Sequence, residues 1–96
     1  MLIDVRDQTQ YAMCALRGSI NIPWTGDAAS WAEQAAQVDE LRLGMKDCYI
    51  VCRLGNDSQL AAKSLIDGKD LPIQIKDIKG GFRAWRNEVD PDWPDY

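Results

Sequence analysis

The sequence predicts a small α/β domain in which helices flank a parallel sheet. Apolar, β-branched segments alternate along the chain with segments of helical periodicity, which is the pattern of strands joined by helical crossovers. One segment, Cys48–Val51, is apolar and leads into a polar loop, as buried strands of parallel sheets do. The 96 residues contain no repeat and suffice for one domain near the lower size limit for a stable core. We therefore expect a single domain over residues 1–96.

The first part of the chain predicts two strands with a short helix between them. Residues 1–5 form the first strand, and residues 7–13 form a helix with Asp7 as its N-cap. Residues 19–22 form the second strand, which Pro23 ends because proline cannot donate to a ladder of backbone hydrogen bonds.

A longer helix is predicted from residue 28 to about residue 43. Asp27 or Ser30 is its N-cap, and Gly44 ends it as the C′ residue. The apolar groups expected along one side of this helix are Trp31, Ala35, Val38 and either Leu41 or the stem of Arg42.

The central part of the chain predicts a buried strand over Cys48–Val51 and a helix that follows it. Helix-forming residues begin at Leu60, and Ser58 is a favourable N-cap. The apolar pairs at helical spacing are Ala61 with Leu65 and Ala62 with Ile66.

The last part of the chain predicts one more strand and one more helix. In order, the segments are a turn-rich connection over 67–72, an alternating strand over 73–78, a helix over 82–87 and an acidic tail over 89–96. Gly80-Gly81 opens the helix, and Phe82 and Trp85 face inward.

Cys52 is the candidate reactive residue. It follows a buried strand, at the edge of the sheet where α/β proteins bind ligands, and it precedes a helix N-terminus, where N–H groups stabilise anions. Arg53 adds a positive charge, and Gly55 lets the loop turn its amides inward. Such surroundings favour a thiolate, so Cys52 is a candidate nucleophile or sulfur carrier. Because free cysteine is often buried for packing alone, a structural cysteine is the alternative.

Composition excludes several kinds of function. The net charge of −4 argues against direct binding of nucleic acid, which requires basic surfaces. No apolar run approaches the roughly 18 residues of a membrane span, and no leader follows Met1. We therefore expect a cytoplasmic protein with a protein partner rather than a membrane.

The titratable residues exclude several kinds of catalytic and metal site. The chain has no histidine, which rules out a Cys-His hydrolase, a Ser-His-Asp triad and a histidine-ligated metal within it. Its three cysteines lack CxxC spacing, so neither a disulfide framework nor a metal site is expected.

Four motifs, in this order and over nearly the whole chain, resemble those of rhodanese-like sulfurtransferases. They are Leu2-Ile3-Asp4-Val5-Arg6, Gly18-Ser19-Ile20-Asn21-Ile22-Pro23, Cys52-Arg53-Leu54-Gly55-Asn56-Asp57-Ser58-Gln59 and Gly80-Gly81-Phe82-Arg83-Ala84-Trp85. The third motif resembles the loop of one subfamily in particular. This subfamily comprises the C-terminal domains of molybdopterin-synthase sulfurtransferases, also known as the activating enzymes of ubiquitin-related modifiers.

This resemblance implies a rhodanese-like fold and a persulfide on Cys52. It also implies the loop that would cradle the persulfide, which is formed by Arg53, Leu54, Gly55, Asn56, Asp57 and Ser58. Asp4 and Arg6 are interpreted as an ion pair that supports this loop, or else as a solvated pair after the strand.

The resemblance also implies the partners. A cysteine desulfurase or other persulfide donor would supply sulfur. A ubiquitin-like sulfur carrier would accept it on its activated C-terminus, for tRNA thiolation or molybdopterin synthesis. We expect the chain to be the C-terminal part of a longer enzyme, whose N-terminal adenylating domain would hold ATP and zinc. No cofactor is expected in the domain itself.

Two features depart from the common pattern of the family. Cys14-Ala15 stands where a Gly-His pair is usual, and Cys14 is either a resolving thiol for Cys52 or a packed small side chain. Asp57 stands near a position that is often basic, so it should repel thiosulfate, or else it serves as an acid in the first helical turn.

Two other functions fit the sequence less well than sulfur transfer. A cysteine phosphatase or arsenate reductase needs an arginine six positions after the cysteine, where Ser58 stands here. A non-catalytic interaction module of the same family usually lacks the cysteine, whereas this chain retains Cys52.

Overall fold

Strands and helices alternate along the chain, as predicted. The structure is a computed structural model and describes residues 1–44, 47–68, 71 and 73–93. The strands are β1 (Leu2–Asp4), β2 (Ile20–Asn21), β3 (Cys48–Val51) and β4 (Ile75–Asp77). The helices are α1 (Gln8–Met13), α2 (Ala28–Ala36), α3 (Asp39–Arg42), α4 (Asn56–Gly68) and α5 (Gly81–Glu88).

The four strands form one parallel sheet in the order β2-β1-β3-β4. Ile3 is paired with Ile20 on one side and with Ile50 on the other, and Ile50 is paired with Asp77. Strand β3 therefore lies between β1 and β4, and the residues that follow all three strands meet at the same edge. This arrangement confirms the predicted α/β class with a small parallel sheet flanked by helices.

Helices α2 and α4 pack against each other, and their apolar side chains join those of the sheet in one core. Trp31 of α2 is 1% exposed, and its indole N–H donates to the Ile22 carbonyl at 2.8 Å. Ala61 and Leu65 of α4 are fully buried in the same core as Ile50 and Ile3 of the sheet. Burial of these side chains holds β3, and hence the loop after it, in a fixed position.

The helix predicted over residues 28–43 is in fact two helices. Asp27, and not Ser30, is the N-cap, since its carboxylate accepts the Ser30 N–H at 3.1 Å. The chain leaves helical geometry at Val38, which is extended. A continuous helix would place Leu41 about 120° around the axis from Ala35. The break lets both residues be fully buried, which explains why α3 starts anew. Gly44 follows α3 as the C′ residue, as predicted.

Several predictions for the second half of the chain are corrected. Helix α4 begins at Asn56, so Ser58 lies inside its first turn and is not the N-cap. Tyr49, in the strand predicted to be buried, is 44% exposed, and Ile66, predicted to pair with Ala62 at helical spacing, is 55% exposed. The strand predicted over 73–78 is limited to β4, and Asp67 and Gly68 are helical rather than part of a turn.

Predictions for the end of the chain are met in part. Helix α5 confirms the one predicted over 82–87, with Phe82 buried and Trp85 half-buried. Lys69, Asp70 and Pro72 of the predicted connection, and residues 94–96 of the tail, lie outside the described residues. In the part of the chain that the structure describes, no helix has the length and apolar character of a membrane span.

Candidate active site

The Cys52 sulfur lies directly after β3, at the C-terminal edge of the sheet. Cys52 is 5% exposed, and its Sγ accepts the backbone N–H of Gly55 at 3.0 Å and that of Ser58 at 3.4 Å. Gly55 has a φ of +92°, a conformation that favours glycine and that turns its N–H back toward the sulfur. Two N–H groups at the start of α4 thus form a nest that stabilises negative charge on sulfur.

The Ser58 hydroxyl links the sulfur to a carboxylate that sequence analysis missed. The Cys52 thiol donates to Ser58 Oγ at 3.4 Å, and Ser58 Oγ donates to Asp77 Oδ1. Asp77 is the last residue of β4, and it reaches the site because β4 is the neighbour of β3. Its signal in the sequence was a carboxylate at the C-terminal end of a predicted strand, but only the strand order shows which strand it adjoins.

The N-terminus of α5 holds the backbone of the Cys52 loop. Phe82 N–H donates to the Cys52 carbonyl and Arg83 N–H donates to the Arg53 carbonyl, both at 2.9 Å. Gly81 makes this approach possible, because a Cβ on it would overlap the Cys52 carbonyl oxygen and lie 2.7 Å from the Arg53 carbonyl carbon. The Gly80-Gly81 pair therefore anchors the loop in addition to opening the helix.

Asp4 and Arg6 form the predicted ion pair, and it is buried. Arg6 Nη2 lies 2.7 Å from Asp4 Oδ2, and both side chains are almost fully inaccessible. The alternative of a solvated pair is therefore wrong. Arg6 Nη2 also donates to the Cys14 carbonyl at 2.5 Å, which ties the segment after α1 to the end of β1.

An aromatic stack extends from this ion pair toward the C-terminus. The Arg6 guanidinium lies over the Phe82 ring, 4.4 Å from its centroid. Trp93 stacks on Phe82, with ring centroids 4.9 Å apart and planes 13° from parallel. Phe82 thus connects the tail, the buried ion pair and, through its backbone N–H, the Cys52 loop.

An open cavity of about 330 Å³ lies in front of Cys52. Four of the six loop residues that were predicted to cradle the persulfide line it, namely Arg53, Leu54, Asn56 and Asp57. The other two, Gly55 and Ser58, are those that donate to the sulfur. Arg6 and Trp24 also line the cavity. The structure thus brings the predicted loop residues together around one sulfur and one opening.

The other two cysteines lie in different surroundings. Cys48 is fully buried at the start of β3, and burial raises the pKa of its thiol from 9.0 to about 11. Cys14 is half-buried, and all three cysteines are free thiols. Among residues 1–44, 47–68, 71 and 73–93, no group of three or more Cys, Asp or Glu side chains is arranged to hold a metal ion.

Fold and site together define a small α/β domain of the class that presents one cysteine in an anion-binding loop. The rhodanese-like domain family model matches residues 1–88, and the chain belongs to this family.

Known relatives and solved structures agree with this assignment. The chain is 40% identical to the adenylyltransferase and sulfurtransferase uba4 of Aspergillus niger, over 99% of this chain and 24% of that protein. Reduced CoADR-RHD from Bacillus anthracis has a TM-score of 0.69 at 30% identity, over 99% of this chain and 15% of that one. A rhodanese-related protein from Thermoplasma volcanium has a TM-score of 0.68 at 24% identity, over 97% and 79% of the two chains. The chain thus spans about a quarter of the length of the curated relatives it matches.

Proposed function

We propose that this domain is a sulfurtransferase that carries sulfur as a persulfide on Cys52. The observation that carries the proposal is the pair of N–H groups, from Gly55 and Ser58, that converge on the Cys52 sulfur beside an open cavity. Hydrogen bonds to a charged acceptor contribute about 1.5–3 kcal/mol each, so the nest favours a thiolate and, after loading, a persulfide anion. The rhodanese family and the sulfurtransferase relatives support the same reaction.

Loading would be a displacement at sulfur. The Cys52 thiolate attacks the outer sulfur of a donor persulfide, a new S–S bond forms on Cys52, and the S–S bond of the donor breaks. The proton of the donor persulfide passes from its outer sulfur to its inner sulfur, so the donor leaves as a thiol and Cys52 carries a persulfide anion. The cavity lined by Leu54 and Trp24 has room for the added sulfur and for the group that delivers it.

The donor that best suits the cavity is a protein persulfide, from a cysteine desulfurase or a second sulfurtransferase. Asp57 is exposed and lines the cavity, so its carboxylate repels a small dianion such as thiosulfate. A protein donor can avoid this repulsion by placing its own charges elsewhere.

The acceptor in this proposal is the activated C-terminus of a ubiquitin-like sulfur carrier, for tRNA thiolation or molybdopterin synthesis. The terminal sulfur on Cys52 attacks the adenylated carboxyl group, and AMP leaves. A second thiol then attacks the Cys52 sulfur, which releases the carrier thiocarboxylate and leaves a disulfide. Cys14 as that second thiol stays a prediction. We assign adenylation to a separate domain, because the Aspergillus niger relative is named as both an adenylyltransferase and a sulfurtransferase and this chain covers 24% of it.

Intact mass spectrometry tests the loading step. The protein is incubated with a persulfide-loaded cysteine desulfurase, beside Cys52→Ala and beside Cys48→Ala as a matched cysteine control. We expect one added sulfur atom, removed by a reductant, in the unmodified protein and in Cys48→Ala but not in Cys52→Ala. If Cys52 is alkylated readily yet never gains sulfur from desulfurase or thiosulfate, the proposal fails and a non-catalytic interaction module takes its place.

A second assay tests the acceptor. A ubiquitin-like carrier, adenylated by a separate activating enzyme, is added to the persulfide form of this protein. We expect the carrier to gain sulfur in place of oxygen at its C-terminus, and Cys52→Ala to give no such product. Loss of the persulfide without any change in the carrier would contradict this acceptor while leaving the loading step intact.

A further inference from the structure

Three groups form a continuous chain of hydrogen bonds behind the reactive sulfur. The Cys52 thiol donates to Ser58 Oγ, and Ser58 Oγ donates to Asp77 Oδ1. Ser58 is fully buried, and Asp77 is half-buried. The serine hydroxyl has a single proton, and in this arrangement that proton points to Asp77, so only a lone pair of Ser58 faces the sulfur.

This orientation of the Ser58 hydroxyl suits a thiol, whereas the N–H groups of Gly55 and Ser58 suit a thiolate. A thiolate would face the serine lone pair without a proton between them, which is repulsive. The hydrogen bonds of Ser58 accommodate a thiolate once the thiol proton and the hydroxyl proton have each moved to the next group. The S–H bond of Cys52 breaks as its proton passes to Ser58 Oγ, and the O–H bond of Ser58 breaks as its proton passes to Asp77 Oδ1. The number of protons stays the same, and one negative charge moves from Asp77 to Cys52.

We propose that Asp77 is a positioning residue that accepts the Cys52 proton through the Ser58 hydroxyl and so generates the reactive thiolate. After the transfer, Ser58 donates to the sulfur and protonated Asp77 donates to Ser58. Cys52 then accepts three hydrogen bonds, from this hydroxyl and from the N–H groups of Gly55 and Ser58. The chain has no histidine, and this pathway gives the thiol an internal base without one.

The proton would leave through a hollow other than the cavity in front of Cys52, whose lining includes neither Ser58 nor Asp77. Asp77 lines a second hollow of about 460 Å³, together with Gln59, Lys79 and Gly80. The two hollows adjoin, because Leu54 and Asn56 line both. Asp77 can therefore exchange its proton with water in the second hollow.

Other charged groups lie near this chain and bear on its titration. The loop and the first turn of α4 contribute Arg53 and Asp57, and β4 and the turn after it contribute Lys76 and Lys79. The groups on the side of β1 are the buried pair Asp4 and Arg6 and the N-cap Asp7. Helix α4 also carries Lys63 and Asp67, which pair with each other at 3.1 Å. Of these, Asp67 is the matched control, since it is an exposed carboxylate on α4 that lies outside the Cys52 loop and takes no part in the hydrogen-bond chain.

The test is the pH dependence of Cys52 alkylation by iodoacetamide, followed by mass spectrometry. The inference concerns the same sulfur as the proposed function, but alkylation needs no sulfur donor, so it can fail or succeed independently of sulfur transfer. While Cys52 and Asp77 together hold one proton, the fraction of molecules in which that proton lies on Asp77 does not change with pH. We therefore expect the unmodified protein to show a flat region of alkylation rate at mildly acidic pH, before the rise at alkaline pH.

Two variants that interrupt the chain at different points should remove the flat region. In Asp77→Asn and in Ser58→Ala, the rate at about pH 5.5 should fall about tenfold or more relative to the unmodified protein, while the rates near pH 9 stay similar. Asp67→Asn should keep the flat region. If Asp77 acted through its charge alone, Asp77→Asn would instead raise the rate at acidic pH, because it removes a negative charge near the thiolate.

Each outcome decides the inference. Loss of the flat region in both variants but not in Asp67→Asn supports it. A single titration step in the unmodified protein, a flat region that survives Asp77→Asn or Ser58→Ala, or its equal loss in Asp67→Asn overturns it. The two variants change different elements, so if one of them unfolds in a urea titration, the other still gives the answer.

Discussion

The Cys52 carbonyl oxygen lies against the Cα atom of Gly81, with no room between them for a Cβ. Gly81 also has a φ of +59°, so an alanine there would be strained by its backbone as well as by the contact. The residue that carries the candidate sulfur is thus held through its main chain by the first turn of the last helix.

Gly81→Ala should destabilise the protein and displace the Cys52 loop. We expect a loss of at least about 3 kcal/mol in the free energy of unfolding, from strain added to a backbone clash, and slower alkylation of Cys52. Gly18→Ala is the control, because Gly18 also has a positive φ but has no atom within 4 Å of a built Cβ. Gly18→Ala should lower the free energy of unfolding by about 1–2 kcal/mol. Equal losses in urea titrations of the two variants would contradict the close packing at Gly81.

Replacement of Arg6 should lower the free energy of unfolding far more than replacement of a surface arginine. Arg6→Met leaves Asp4 charged and buried, which typically costs about 3–5 kcal/mol. Arg42→Met breaks a pair of the same residue types, Arg42 with Asp39, whose side chains are 58% and 72% exposed. That pair should contribute about 1 kcal/mol or less. Urea titration measures both, and a loss below about 1.5 kcal/mol for Arg6→Met would count against the buried pair as a structural support.

Stability should fall in alkaline solution because of Cys48. The folded state keeps the Cys48 proton up to about pH 11, whereas the thiol ordinarily has a pKa of 9.0. Above that ordinary value the unfolded chain binds fewer protons than the folded one, so the free energy of unfolding decreases as the pH rises from 9 toward 11. A shift of this size corresponds to about 2–3 kcal/mol.

The matched variant for this prediction is Cys48→Ala, which lacks the titrating thiol. Lysines, tyrosines and the other cysteines titrate in both proteins, so the difference between the two pH profiles isolates Cys48. Urea titrations at about pH 8 and pH 10.5 should show a steeper loss in the unmodified protein than in Cys48→Ala. Parallel profiles would show that the Cys48 proton is not retained on folding.

Asp57→Asn should increase the rate of sulfur uptake from thiosulfate. Removal of one exposed charge at the cavity is worth about 1 kcal/mol, or about a fivefold change in rate. Uptake from a desulfurase persulfide should change less. The alternative role of Asp57, as an acid in the first turn of α4, predicts a separate loss of about 0.3–1 kcal/mol in stability. If Asp57→Asn loses stability without a faster reaction with thiosulfate, Asp57 acts only as an acid in the first turn of α4.

The sequence was sufficient for the sheet class, the Cys52 loop and the Asp4–Arg6 pair, because each depends on residues that are close in the chain or on a familiar order of motifs. Asp77 could not be found in this way. Its contact with Ser58 joins residues 19 positions apart and depends on the pairing of β3 with β4. Periodicity likewise could not show that the helix over 28–43 breaks at Val38, since both Ala35 and Leu41 are apolar and only packing decides which way each faces.

Ser58 illustrates the same limit at a single position. Its residue type predicted an N-cap, but the helix starts at Asn56, directly after the turn at Gly55. The hydroxyl that would have capped the helix is thereby free to bond with Cys52 and Asp77. Local propensity identified the residue, and tertiary structure changed its partners.

Strand β4, described above as a neighbour of β3, is also an edge strand of the described sheet and comprises only Ile75–Asp77. Short edge strands open at a lower free energy than the core of a domain, and such sub-global openings are visible as amide hydrogen exchange. An opening of β4 carries Asp77 away from Ser58, yet it leaves both backbone donors on the Cys52 sulfur, since these belong to the loop and to α4. The opening of β4 therefore determines how often the Cys52 sulfur is linked to Asp77 through Ser58.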